Sequence, residues 1–126
     1  MVALQILYEV DLVGHAPEQV LARYLGEESL PPEGNEFARQ LVFGVLREQN
    51  RLDAIVARIA PEWPIDQMAV IDRNILRVAL FELTHGDQTP IKVVINEAVE
   101  LAKRFGSDSS RRFINGALGA YVSTEN

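Results

Sequence analysis

The chain has 126 residues, 48% of them hydrophobic and 24% charged, with no cysteine and a formal net charge of −6. That balance argues against a disordered chain, a disulfide framework and thiolate metal ligation, and no apolar run approaches the roughly 20 residues that a bilayer-crossing helix needs. One domain in a reducing cytoplasm is expected, with no secretory leader, because Met1-Val2-Ala3-Leu4 lacks a basic stretch.

In chain order, the apolar spacing reads as helix almost throughout. Val2 to Val13 is dense in Leu, Ile and Val and stops at Gly14. Pro17 opens a second helix whose face is Val20, Leu21, Tyr24 and Leu25. Ser29 to Gly34, with two prolines, reads as a loop. One long helix is expected from Asn35, as N-cap, to Ala60, with Leu41, Val45, Leu52, Ile55, Val56 and Ile59 on its stripe. Pro61 and Pro64 bracket Trp63 at a corner. From Ile65 to His85 comes an apolar helix, interrupted by a turn near Asp66 to Val70, with a polar side at Asp72, Arg73 and Arg77 and a stop at Gly86. Thr89 as N-cap and Pro90 as first residue open the next helix. Its core face is Ile91, Ile95, Ala98, Leu101, Ala102 and Phe105, and Gly106 is its C-cap. Ser107 to Ser110 offers N-caps for a last helix that buries Ile114, Ala117, Leu118 and Tyr121, ahead of a frayed tail from Ser123 to Asn126. The expectation is an all-α fold of six or seven helices.

The residues offer little to an enzyme. His15 and His85 fall just outside helix ends, away from any Ser/Asp grouping. No His/Asp/Glu spacing fits zinc or iron, and no glycine-rich loop follows a strand, so neither a metal nor a cofactor is expected. Glu97 and Glu100 share a helix face, but Glu100 precedes Lys103 and Arg104 at three and four residues, an arrangement that supports an exposed helix. Charge is unevenly spread. Residues 1–66 hold 11 acidic and 5 basic groups, whereas residues 67–126 hold 7 of each. Within residues 100–112, Lys103, Arg104, Arg111 and Arg112 face only Glu100 and Asp108. Phe105 and Phe113 stand beside them. Cations with aromatic rings are what unpaired RNA needs; the same residues also suit a core edge with a solvated basic face.

Three separated blocks carry a resemblance. They are Ala3-Leu4-Gln5-Ile6-Leu7-Tyr8; Asp72 to Leu83 followed by Pro90 to Ala98; and Glu100-Leu101-Ala102-Lys103-Arg104-Phe105-Gly106 with Phe113-Ile114-Asn115-Gly116. In order and spacing the chain resembles the NusB family, while residues from about Glu18 to Pro32 contribute little. The resemblance implies two small helical bundles packed together, about residues 1–60 and 65–122. It implies a non-enzymatic transcription antitermination factor that binds boxA-type nascent RNA with NusE, a small-subunit ribosomal protein. The pair joins the RNA polymerase antitermination complex, notably on ribosomal RNA operons. On the RNA path it places Tyr8, Phe105 and Phe113, with Ser109 where some members have Asp, next to the basic Lys103, Arg104, Arg111 and Arg112. For the protein partner it points to Asp72, Lys92 and Ile91, and less directly to Asp66; Asp72 could instead pair locally with Arg73 or Arg77. Members usually carry an arginine-rich segment before the first helix, whereas the first arginine here is Arg23. Weak RNA binding by the isolated chain, strengthened by NusE, is therefore expected. Two other assignments stay open: an RNA-binding appendage of a ribosomal RNA methyltransferase, and a helical module that forms a homodimer without an RNA role.

Overall fold

A computed structural model describes residues 1–27, 32–85 and 89–125. Seven α-helices and one short 3-10 turn account for the regular structure, with no strand among the described residues. The helices are α1 (Val2–Val13), α2 (Pro17–Glu27), α3 (Pro32–Arg47), α4 (Gln49–Ile59), α5 (Val70–His85), α6 (Ile91–Phe105) and α7 (Ser110–Glu125).

Helix α1 turns Ala3, Leu4, Ile6 and Leu7 inward and ends at Gly14, whose φ of 83° is the left-handed cap that glycine adopts without a Cβ penalty. Its N–H donates to the Val10 carbonyl at 3.0 Å. In α2 the expected face holds: Val20 and Leu21 are buried, and Tyr24 and Leu25 pack on the core.

The expected long helix is two. Helix α3 starts at Pro32, so Asn35 lies inside it rather than capping it, and Gly34, expected in a loop, is helical. Positions 28–31 of that loop lie outside the described residues. The helix breaks at Glu48 (φ −106°, ψ 17°), although Glu48 N–H still donates to Gly44 O and Leu52 N–H to Glu48 O. No local breaker causes this. The Glu48 carboxylate is gripped by Arg51 and by His85 Nε2 at 2.7 Å. The joint lets α3 lie on α1 and α5 while α4 lies on α5 and α7.

The corner at Pro61 to Pro64 is present, and the expected turn near Asp66 is a 3-10 turn, Ile65–Gln67. Helix α5 then packs against α1, α3, α4, α6 and α7. Asp72 and the run from Asn74 to Leu80 are all buried, as befits a helix enclosed nearly all round. Its polar side faces inward: Arg73 donates twice to Asp11 at 2.7 Å, and Arg77 donates to Asp53 at 2.7 and 2.9 Å and to Asp11 at 3.0 Å. His85 is its last residue rather than a neighbour of its end, and the Gly86 stop lies outside the described residues.

Helix α6 is capped by Pro90, not Thr89, and starts at Ile91. Val94, Ala98 and Ala102 are buried, with Ile95, Leu101 and Phe105 against the core. Ile91 lies on the same stripe but in the first turn, where it stays 47% exposed instead of joining the core. Helix α7 buries Ile114, Ala117 and Leu118, with Tyr121 packed beside them, and continues to Glu125 where a frayed tail was expected. One cluster of buried side chains draws on all seven helices.

Candidate nucleic-acid interface

The C-terminus of α6 and the start of α7 meet at a tight turn. Gly106 caps α6 in an extended conformation (φ −93°), so its glycine is needed for space, not for a left-handed twist. A Cβ there would lie 2.5 Å from the Ser110 Cβ and Oγ and 2.7 Å from the Ala102 carbonyl. Ser110 is 1% exposed, and its Oγ accepts the Ser107 backbone N–H at 2.9 Å. The Ser107 hydroxyl sits 3.1 Å from that Oγ and 3.3 Å from the Ser109 hydroxyl. This knot leaves Lys103, Arg104, Ser109, Arg111 and Arg112 exposed around the turn.

The two rings of this region are neither sealed nor free. Phe105 and Phe113 pack on the core and keep an exposed edge. The Arg104 guanidinium lies 5.2 Å from the Phe105 ring centroid, a cation–π contact that holds the cation beside the aromatic edge. Phe105 also lines a groove of about 750 Å³ with Leu4, Gln5 and Tyr8 of α1, Tyr24 of α2 and the first turn of α5. Tyr8 and Phe105, nearly a hundred positions apart in the chain, thus share one concavity. Lys103 and Arg104 line a second hollow with Met1, Val93 and Asn96.

Arg23 and Tyr24 belong to the first groove and have no counterpart in the sequence-based site. The Arg23 guanidinium stands 5.3 Å from the Tyr24 centroid and pairs with Glu9, which also meets His15 Nδ1 at 2.9 Å. The His15 hydrogen bond, and then that from Arg23, hold the Glu9 carboxyl below the usual range. An Arg-Tyr pair on a helical face was the only signal available in the sequence, and nothing local connects it to Tyr8.

The residues expected at a protein partner divide. Asp66, Ile91 and Lys92 are exposed. Asp72 is largely buried, 8% exposed. It does not pair with Arg73 or Arg77, which are turned to Asp11 and Asp53. Burial pushes its carboxyl up, partly offset by a hydrogen bond from the Ser110 hydroxyl, and Oδ1 is enclosed without a partner. Among the described residues no group of three or more His, Cys, Asp or Glu could hold a metal ion. No helix there is long and apolar enough to cross a membrane.

The described residues thus form an all-helical protein that sets exposed cations and two half-buried rings around one interhelical turn. The NusB family pattern matches residues 1–123, and the chain belongs to the NusB family. It is 55% identical over 124 residues to the transcription antitermination protein NusB of Roseiflexus sp. (strain RS-1), covering 97% of this chain and 87% of that protein. The same-named protein of Chloroflexus aggregans is 55% identical over 122 residues, covering 95% and 81%. Among solved structures, Thermotoga maritima NusB superposes with a TM-score of 0.90 at 31% identity, over 99% of this chain and 87% of that one. The crystal structure of antitermination factors NusB and NusE in complex with dsRNA gives 0.88 at 26% identity, over 98% and 92%.

Proposed function

We propose that this chain acts as a transcription antitermination factor in the cytoplasm, holding a single-stranded boxA-type segment of nascent RNA together with NusE in an RNA polymerase complex, and that it catalyses no reaction. The observation that carries this is the junction of α6 and α7. There Arg104 lies over Phe105, Phe105 reaches the groove of Tyr8, and Lys103, Arg111 and Arg112 surround the same turn. Cations take the phosphates, and ring edges and polar side chains meet the unstacked bases. Ser109 puts a neutral hydroxyl where a carboxylate would repel phosphate. On the partner side, Asp66 and Lys92 offer exposed charge and Ile91 an exposed apolar contact for the ribosomal protein.

A titration of short boxA-type RNA across a salt series tests this reading. Arg104→Glu with Arg112→Glu is expected to weaken binding roughly tenfold or more and to flatten the log–log salt slope by about 0.7 per lost phosphate contact. Arg39→Glu with Arg47→Glu, both at exposed positions of α3, controls for the same change in net charge. Equal losses in the two double variants would sink the proposed face.

A further inference from the structure

The groove between α1, α2 and α5 is also lined by Arg23 and Tyr24 of α2, which are not among the residues proposed for RNA. We infer that this groove is a nucleotide subsite, in which one unstacked base of single-stranded RNA lies against Tyr24 and Tyr8 while Arg23 meets its phosphate. The inference rests on the RNA reading above and extends it to an element that reading did not use.

Three observations converge. First, the space is suitable. About 750 Å³ lies within the range of small-molecule sites, and the lining offers the rings of Tyr8, Tyr24 and Phe105 from three different helices. Every base presents a flat face to such rings, so stacking needs no particular sequence. The Gln5 amide, on the same wall, supplies a donor and an acceptor for a base edge. Second, the charge is suitable. Arg23 is the cation of α2 on this lining, and its side chain is 47% exposed although it pairs with Glu9. The planar guanidinium has five N–H donors, more than one carboxylate occupies, and it is already stacked near Tyr24. Glu9, a carboxylate on the same lining, is paired with Arg23 and hydrogen-bonded to His15 rather than left bare before a phosphate. Third, the groove is continuous with the basic turn. Phe105 lines it, and Arg104 lies over that same ring. A strand held at Arg104 is therefore brought beside a ring that lines the groove. The competing occupant is a second copy of this chain, since Val13 on the same lining and Leu12 beside it are 55% and 54% exposed. The cation and the ring faces favour the nucleotide.

The test uses the full chain and a short single-stranded RNA in the same salt series, with sedimentation alongside. Tyr24→Leu is expected to weaken binding roughly tenfold without altering the salt slope, as loss of one stacked base would. Tyr24→Phe, which keeps the ring, restores most of that loss. Arg23→Gln is expected to weaken binding and lower the slope by about 0.7. If Tyr24→Leu and Arg23→Gln bind like the parent while Arg104→Glu does not, the subsite is wrong and the RNA face stands. If Arg104→Glu is also without effect, both fall. If Tyr24→Leu dissociates a concentration-dependent dimer and leaves RNA affinity unchanged, the groove belongs to a second copy and the subsite is overturned.

Discussion

Asp11, near the end of α1, accepts hydrogen bonds from Arg73 at 2.7 Å, from Asn74 at 2.8 Å and from Arg77 at 3.0 Å, all on α5. Burial works to raise its carboxyl, but the hydrogen bonds from Arg73 and Asn74 and the charges of Arg77 and Arg73 outweigh it and hold the group below the usual range. A carboxyl lowered in the fold stabilises it fully above the ordinary aspartate range, and that stabilisation is lost as pH falls through the lowered value. Asp11→Ala is expected to cost about 2–3 kcal/mol in urea unfolding at neutral pH, because it leaves Arg73 without its carboxylate and Arg77 with Asp53 alone. Asp72 has the opposite sign. Burial first, against the Ser110 hydrogen bond, raises its carboxyl, so its favourable contribution exists below the ordinary range and disappears as pH rises through the raised value. Asp72→Asn is accordingly expected to raise the melting temperature at neutral pH, an advantage that vanishes in acid. At this scale the sequence was half legible. The polar side of α5 could be read from Asp72, Arg73 and Arg77, but its direction could not. The carboxylates that draw the two arginines inward stand 62 and 24 positions away in the chain.

At the scale of elements, helix existence followed from apolar period, and most errors lie at ends and joints. Ala98 and Ala102 of α6 and Ile114 and Leu118 of α7 are buried where the spacing put them, whereas Val94 is buried without having been expected there. Glu48 breaks the α3–α4 pair for a reason no local residue declares. Gly44 lets α3 come so close that a Cβ there would lie 2.4 Å from the Phe81 ring, and His85 stacks on that ring at 4.6 Å while holding Glu48. Both expected caps are displaced by a proline that precedes or follows them: Pro90 takes the cap from its neighbour Thr89, and Pro32 starts the helix three residues ahead of Asn35. The α6–α7 turn is the element joint with functional weight. Gly106→Ala is expected to cost about 1–3 kcal/mol by overpacking against Ser110 and the Ala102 carbonyl. Because the displaced turn bears Arg111 and Arg112, RNA affinity should fall severalfold as well, measured beside a thermal melt of the same variant. A normal melt and normal affinity would show that the turn yields without consequence.

Across the whole molecule, a body of net charge −6 gathers four of its exposed cations, Lys103, Arg104, Arg111 and Arg112, around one joint between helices. Long-range repulsion from RNA therefore acts against short-range attraction at that joint, and a basic partner seated nearby would relieve the first while leaving the second intact. The isolated chain is expected to bind boxA-type RNA weakly at moderate salt, with at least tenfold gain when NusE is added; tight binding without the partner would refute this. The basic turn and its two rings were legible because they are contiguous in sequence. The groove was not, since Tyr8, Tyr24 and Phe105 come together only through the packing of α1, α2, α5 and α6. The elbow between Ala60 and Ile65 has a separate consequence. It holds Trp63, the chain's single tryptophan, 55% exposed between two prolines. Native indole emission is consequently that of a largely hydrated fluorophore, and denaturation will shift its colour only slightly. Tyrosine signals from the groove, or the circular dichroism of the helices, are the better optical gauges of this protein's unfolding.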